Sequence, residues 1–104
     1  MSAVFKALAD PTRRKVLQLL KHGPLSAGEL AKHFDVTKPT MSAHFAILVG
    51  ADLIRPEKRG RTITYRLRMA VLEEELREFI RAFGLQITES QSALPVSVQK
   101  AEER

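Results

Sequence analysis

Between Ser26 and Leu67 the chain carries two helix starts in close succession, then alternating residues around an Arg-Gly-Arg tip, and few folds accommodate that order. In Leu25-Ser26-Ala27-Gly28-Glu29-Leu30, Ser26 and Glu29 stand at capping-box spacing and Leu25 and Leu30 at hydrophobic-staple spacing. This predicts a helix opening at Ser26 with Leu30 and Phe34 turned inward. Asp35-Val36 makes a turn, and Thr37-Lys38-Pro39-Thr40 opens the next helix. Thr37 is the better capping side chain, yet Pro39 disfavours a helical Lys38, so the start stays open between 37 and 38. From there Met41, Phe45 and Leu48 recur at i, i+4, i+7 and define a buried stripe.

The opposite side of that second helix is unusual for a surface. Lys38, Thr40, Ser42, Ala43, His44 and Ala46 are polar or small, and residues 36–51 contain no Asp or Glu, whereas an ordinary surface helix is filled with Glu and Lys. A helix entering a groove about 12 Å wide between phosphate walls has reason to carry neither bulk nor negative charge. After it, Ile63, Tyr65 and Leu67 alternate with Thr62, Thr64 and Arg66, the period of a half-buried strand. Leu53 to Lys58 is the expected partner, Pro56 being tolerable at an edge, and Arg59-Gly60-Arg61 is the turn. The expected fold is mainly α, a winged helix-turn-helix in the order α-α-α-α-β-β-α with a two-stranded β-wing. Such a unit binds double-stranded DNA through the second helix and the cationic hairpin tip.

The flanking segments complete one domain over residues 1–92. Val4, Phe5 and Leu8 form a short apolar turn. Asp10-Pro11 starts a helix, with Asp as cap and Pro at the first position, where a missing N–H costs nothing. Arg13 and Arg14, one turn in, fit a backbone phosphate and a solvated face equally well. His22-Gly23-Pro24 ends that helix. A terminal helix is expected from Val71 to about Ser90, with Leu72, Leu76, Phe79, Ile80, Phe83 and Ile87 along one stripe. At roughly 30 Å it exceeds what a small winged helix needs to cover its own core. The surplus predicts a homodimer joined through Leu72, Leu76, Phe79, Ile80 and Phe83 together with Val4, Phe5 and Leu8. Glu73-Glu74-Glu75 reads as a helix opening that meets the positive end of the macrodipole, rather than as a metal or acid–base site. Residues 93–104 turn polar and are expected to be a disordered tail.

Charge agrees with this division. Of the net +5, residues 1–68 hold 13 Lys or Arg against 5 Asp or Glu, and residues 69–104 hold 4 against 7. A basic front facing a polyanion and a rear serving another purpose would account for it. Cysteine is absent, which removes disulfides, thiolate metal sites and thiol redox chemistry together. With no secretory signal and no membrane span, a cytoplasmic location is expected. No nucleophile–base pair, phosphate-cradling glycine loop or paired-carboxylate arrangement supports an enzyme.

Four segments in unbroken order, over roughly residues 3–83, resemble the ArsR/SmtB family of small dimeric winged-helix repressors. They are Phe5-Lys6-Ala7-Leu8-Ala9-Asp10-Pro11-Thr12-Arg13-Arg14, then Ser26-Ala27-Gly28-Glu29-Leu30-Ala31, then residues 38–48, then Arg59-Gly60-Arg61 ahead of Tyr65. The resemblance is to the metal-independent autorepressor subgroup. It implies DNA reading by Thr37, Lys38, Pro39, Thr40, Ser42, Ala43 and His44, with Arg59, Gly60 and Arg61 on the adjacent groove. Family members commonly have His where this chain has Ala43, so base readout there is expected to differ. The family's metal sites do not carry over. Residues 30–34 lack a Cys-x-Cys pair, residues 70–92 lack His, and His22, His33 and His44 fall on three separate predicted helices. No metal and no cofactor are therefore expected. The resemblance also implies repression, its own promoter included. A protein–protein module built on a winged helix, or a repressor answering to a small-molecule effector, are the alternatives.

Overall fold

A computed structural model describes residues 2–86. Its elements run α1 (Ser2–Leu8), α2 (Pro11–Leu20), β1 (Leu25–Ser26), α3 (Ala27–Ala31), α4 (Lys38–Gly50), β2 (Ile54–Arg59), β3 (Thr62–Leu67) and α5 (Met69–Ala82). This is a winged helix-turn-helix, with α3 and α4 as the helix pair and β2–β3 as the wing. One strand more than expected is present: the sheet is three-stranded and antiparallel, in the order β1-β3-β2. Leu25 pairs with Tyr65 and Ser26 with Thr64.

Local chemistry explains each helix start. The Asp10 carboxylate accepts the N–H groups of Thr12 (2.8 Å) and Arg13 (3.2 Å), and Pro11 follows at the first helical position. Ser26 and Glu29 form the full reciprocal capping box, with Glu29 N–H donating to Ser26 Oγ (3.0 Å) and Ser26 N–H to the Glu29 carboxylate (2.8 Å). Thr37 is the cap of α4, so Lys38 is its first helical residue and Pro39 its second, where no intrahelical N–H is required.

These caps close around one core. Val4 and Ala7 of α1, Val16, Leu17 and Leu20 of α2, Leu30 of α3, and Met41, Phe45 and Leu48 of α4 are buried, as are Leu53, Ile54 and Tyr65. Phe45 and Tyr65 meet with ring centroids 4.7 Å apart, which seats α4 on the wing. Burial pushes the Tyr65 hydroxyl above its ordinary pKa. After α4 the chain reverses with Asp52 at a φ of 62°, where Leu53 N–H reaches back to the Leu48 carbonyl (3.0 Å) and Asp52 N–H to that of Val49 (2.9 Å). This is a Schellman closure with Asp in the place glycine usually holds. The wing pairs Arg59 with Thr62 across Gly60-Arg61; Gly60 has φ 61° and Arg61 does not share the positive sign, as in a type II′ turn.

Four expectations need correction. The first wing strand is Ile54–Arg59 rather than Leu53 to Lys58, because Leu53 is used to close α4 and to accept the Arg68 N–H (2.8 Å). Val4 is 4% exposed within the single chain and has no surface left for a partner; Phe5 and Leu8 are half-buried. The terminal helix ends at Ala82, because Gly84 (φ 68°) takes the left-handed turn and Leu85 N–H bonds the Ile80 carbonyl (3.0 Å). It therefore spans about 21 Å, and Ile87, the domain limit at residue 92 and the tail at 93–104 lie outside the described residues. Finally, α5 opens at Met69, which puts Glu73, Glu74 and Glu75 beyond its first turn and removes the macrodipole account of them. Glu74 instead pairs with Arg77 at 3.0 Å.

Candidate nucleic-acid interface

Helix α4 turns its small residues outward. With 100° per residue, burial of Met41, Phe45 and Leu48 places Pro39, Ala43, Ala46 and Gly50 down the middle of the far side, and all four are exposed. Ser42 flanks that line on one side and Thr40 on the other, both exposed, and Lys38 is exposed at the first turn. The Thr37 hydroxyl accepts the Thr40 N–H (3.3 Å) and donates to Thr40 Oγ1 (2.9 Å). Backbone along this face can approach a ligand closely, since nothing longer than a serine or threonine projects from its middle.

His44 departs from the expectation of a free groove-facing side chain. It sits on the margin of the face, half-buried, with Nδ1 3.2 Å from a terminal nitrogen of Arg13. Arg13 itself is turned inward: its Nε donates to the Ala7 carbonyl (2.8 Å) and its other terminal nitrogen to that of Lys6 (3.0 Å). Arg14 donates to the Leu8 carbonyl (2.7 Å). The two arginines thus bond the last carbonyls of α1, of which that of Lys6 also accepts the Ala9 N–H, and their charge suits that end. Neither the phosphate contact nor the solvated face considered from sequence describes Arg13. No local signal could have found this role, because it depends on how α1 and α2 cross.

At the wing tip Arg59, Gly60 and Arg61 are all exposed. Among the described residues no carboxylate pairs with Lys38, Arg59 or Arg61; the ion pairs belong to Arg66 with Glu57 (3.2 Å), Arg68 with Asp52 (3.5 Å), Arg77 with Glu74 and Arg81 with Glu78. The cations of the α4–wing surface therefore keep their charge for an outside anion.

Helix α5 has no residue buried in its own chain. Leu76 and Phe79 are each 38% exposed and Phe83 67%. Phe5, Phe79 and Phe83 stack in sequence, with centroids 4.9 and 4.8 Å apart. Leu72 and Ile80 are half-buried on the same helix. Met69 (39% exposed) extends the stripe one turn further back than the sequence reading took it, at the i−3 spacing from Leu72 that could have revealed it. Among the described residues no three His, Asp or Glu side chains gather as a metal site would require, and no helix is long and apolar enough to cross a membrane.

Known proteins share this arrangement. A family described as a helix-turn-helix domain matches residues 8–57. The transcriptional repressor SdpR of Bacillus subtilis is 46% identical over 76 residues, covering 73% of this chain and 84% of that protein. The arsenical resistance operon repressor of Staphylococcus xylosus is 37% identical over 73 residues, 70% of either chain. Among solved structures, the crystal structure of an ArsR family transcriptional regulator aligns with a TM-score of 0.69 at 36% identity, covering 83% of this chain and 92% of that one. These relatives are regulators of transcription, not enzymes. Capped helix pair, acid-free α4, arginine-tipped wing and relatives agree: the chain belongs to the ArsR/SmtB family of winged helix-turn-helix, DNA-binding transcriptional repressors.

Proposed function

We propose that the protein represses transcription as a homodimer on an inverted-repeat operator, its own promoter included, and does so without a metal sensor. The observation that carries this reading is the acid-free outer face of α4, exposed from Lys38 to Gly50 apart from its buried side, together with the exposed Arg59 and Arg61 of the wing tip, which meet no carboxylate among the described residues. In it, Lys38 meets phosphate, Thr37, Pro39, Thr40, Ser42 and Ala43 approach base edges, and Arg59, Gly60 and Arg61 reach the neighbouring groove. Dimerisation is supported by the apolar side of α5, where a single chain leaves Leu76, Phe79 and Phe83 exposed and Leu72, Ile80, Phe5 and Leu8 only half-buried. Two copies joined there would present two α4 helices to one face of a duplex, with half-site centres about 34 Å apart. Metal independence is supported by the lack of cysteine and by the separation of the three histidines on different parts of the chain.

Selection of genomic fragments with the purified protein, followed by footprinting and sedimentation of the complex, tests the whole reading. The expected result is a protected region with dyad symmetry, two chains per site, and affinity unchanged by a chelator. A strictly monomeric protein indifferent to duplexes at low ionic strength would overturn it.

A further inference from the structure

The contact between Arg13 and His44 fixes more than a distance. A guanidinium has five N–H donors, no acceptor, and keeps its charge under all ordinary conditions. With Arg13 Nη1 3.2 Å away, His44 Nδ1 has to be the acceptor of that hydrogen bond. A neutral imidazole that accepts at Nδ1 carries its proton on Nε2. Nor can the guanidinium turn aside, because its Nε and its remaining terminal nitrogen are committed to the Ala7 and Lys6 carbonyls at 2.8 and 3.0 Å. The planar fork is thus pinned by α1 and offers its one remaining edge to α4. His44 meanwhile stands half-buried at the border of the outward face that holds Thr40 and Ser42.

We propose that Arg13 is a positioning residue for DNA recognition: it holds His44 as the Nε2–H tautomer, so the ring presents a hydrogen-bond donor, and only a donor, to the operator. The chemistry it selects is an acceptor. In the major groove that means guanine N7 or O6, adenine N7 or thymine O4, and it excludes the cytosine amino group; a phosphate oxygen is the other acceptor source. The inference rests on the DNA-binding reading above, and its first test does not need DNA.

The tautomer is read in the free full-length protein from long-range ¹H–¹⁵N correlations of the histidine rings. His22 and His33 are exposed and serve as internal references. His44 is expected as Nε2–H alone, whereas the two references show mixed tautomers. Arg13→Met, which keeps length but removes the donor, is expected to return His44 to a mixture, and Arg13→Lys to restore the single form in part. A wild-type His44 that is mixed, or protonated on Nδ1, overturns the inference without any variant having to fold.

The second arm uses the fragment recovered by selection, with each base pair substituted in turn. His44→Ala and Arg13→Met are expected to lose discrimination at the same base pair, by about 5- to 150-fold, if the acceptor is a base. Equal loss on every sequence, with the salt dependence unchanged, assigns the donor to a phosphate oxygen instead. Wild-type protein that binds the fragment while His44→Ala binds with unaltered affinity and preference overturns the inference alone. A wild-type protein that binds no duplex overturns the DNA-binding reading, and this inference with it.

Discussion

Lys38 and Ser42 are neighbours one turn apart on the same exposed face, yet their side chains do different work in the proposed complex. Lysine is a strongly hydrated point charge suited to phosphate, whereas a serine hydroxyl can bond a base edge only at short range. Lys38→Ala is therefore expected to weaken binding on all sequences and to flatten the logarithmic salt dependence by about two units per dimer, roughly one for each lost phosphate contact. Ser42→Ala should leave that slope alone and relax preference at one position per half-site. Titrations at several salt concentrations against selected and unrelated duplexes separate the two. Carboxylates at the helix starts give a second prediction at this scale. The Ser26 N–H and hydroxyl hold Glu29 below its ordinary pKa. Asp10 is also lowered: burial pushes it up, but the N–H groups of Arg13 and Thr12 and the nearby Arg13 charge outweigh that. A pKa lower in the folded than in the unfolded chain means stability that is complete above the ordinary carboxylate range and lost as pH falls through it. Asp10→Asn with Glu29→Gln keeps both caps and removes the titration. Its melting temperature should fall less steeply than that of wild type between about pH 5 and pH 3.

The elements divide by whether their cause is local. Helix starts depend on residues within four positions, so Asp10, Ser26 with Glu29, and Thr37 could be read directly, and so could the hairpin tip. Strand β1 could not: two residues pair with Thr64 and Tyr65 some forty positions later, and Leu25 looked like half of a hydrophobic staple. The end of α5 was present in the sequence as Gly84 but hidden by Ile87, whose spacing prolongs the apolar stripe past the stop. Val4 was misplaced because α1 has two apolar sides; Val4 and Ala7 go to the core, and Phe5 goes to the Phe79 ring. That division gives a clean test for α5. Since none of its residues is buried in the single chain, Leu76→Glu with Phe83→Glu should leave the fold intact, halve the sedimenting mass and weaken operator binding by orders of magnitude. Retained far-ultraviolet circular dichroism with a monomeric mass is the expected outcome, and an unaltered dimer would place the joint elsewhere. By contrast Phe45→Ala, in the core beside Tyr65, should cost about 3–5 kcal/mol and lower stability itself, as read by denaturant unfolding.

At the scale of the molecule, residues 1–68 hold 13 of the 17 Lys and Arg, while α5 carries Glu73, Glu74, Glu75 and Glu78 against Arg77 and Arg81. In the proposed dimer a duplex would meet α4 and the wing of each subunit, and its phosphates would repel the carboxylates of α5. The short strand β1 bears on how such a particle adapts to its site. Ser26 is at once the last residue of that strand and the cap of α3, and its partner Thr64 lies in the wing. Two residues thus link the parts that would touch DNA, and in the proposed dimer each subunit would act as a calliper whose jaws keep one opening. An extra base pair at the centre of the operator, which displaces the halves by about 3.4 Å and rotates them by about a tenth of a turn, cannot be taken up inside a subunit. The duplex must untwist, or the two callipers must slide on each other.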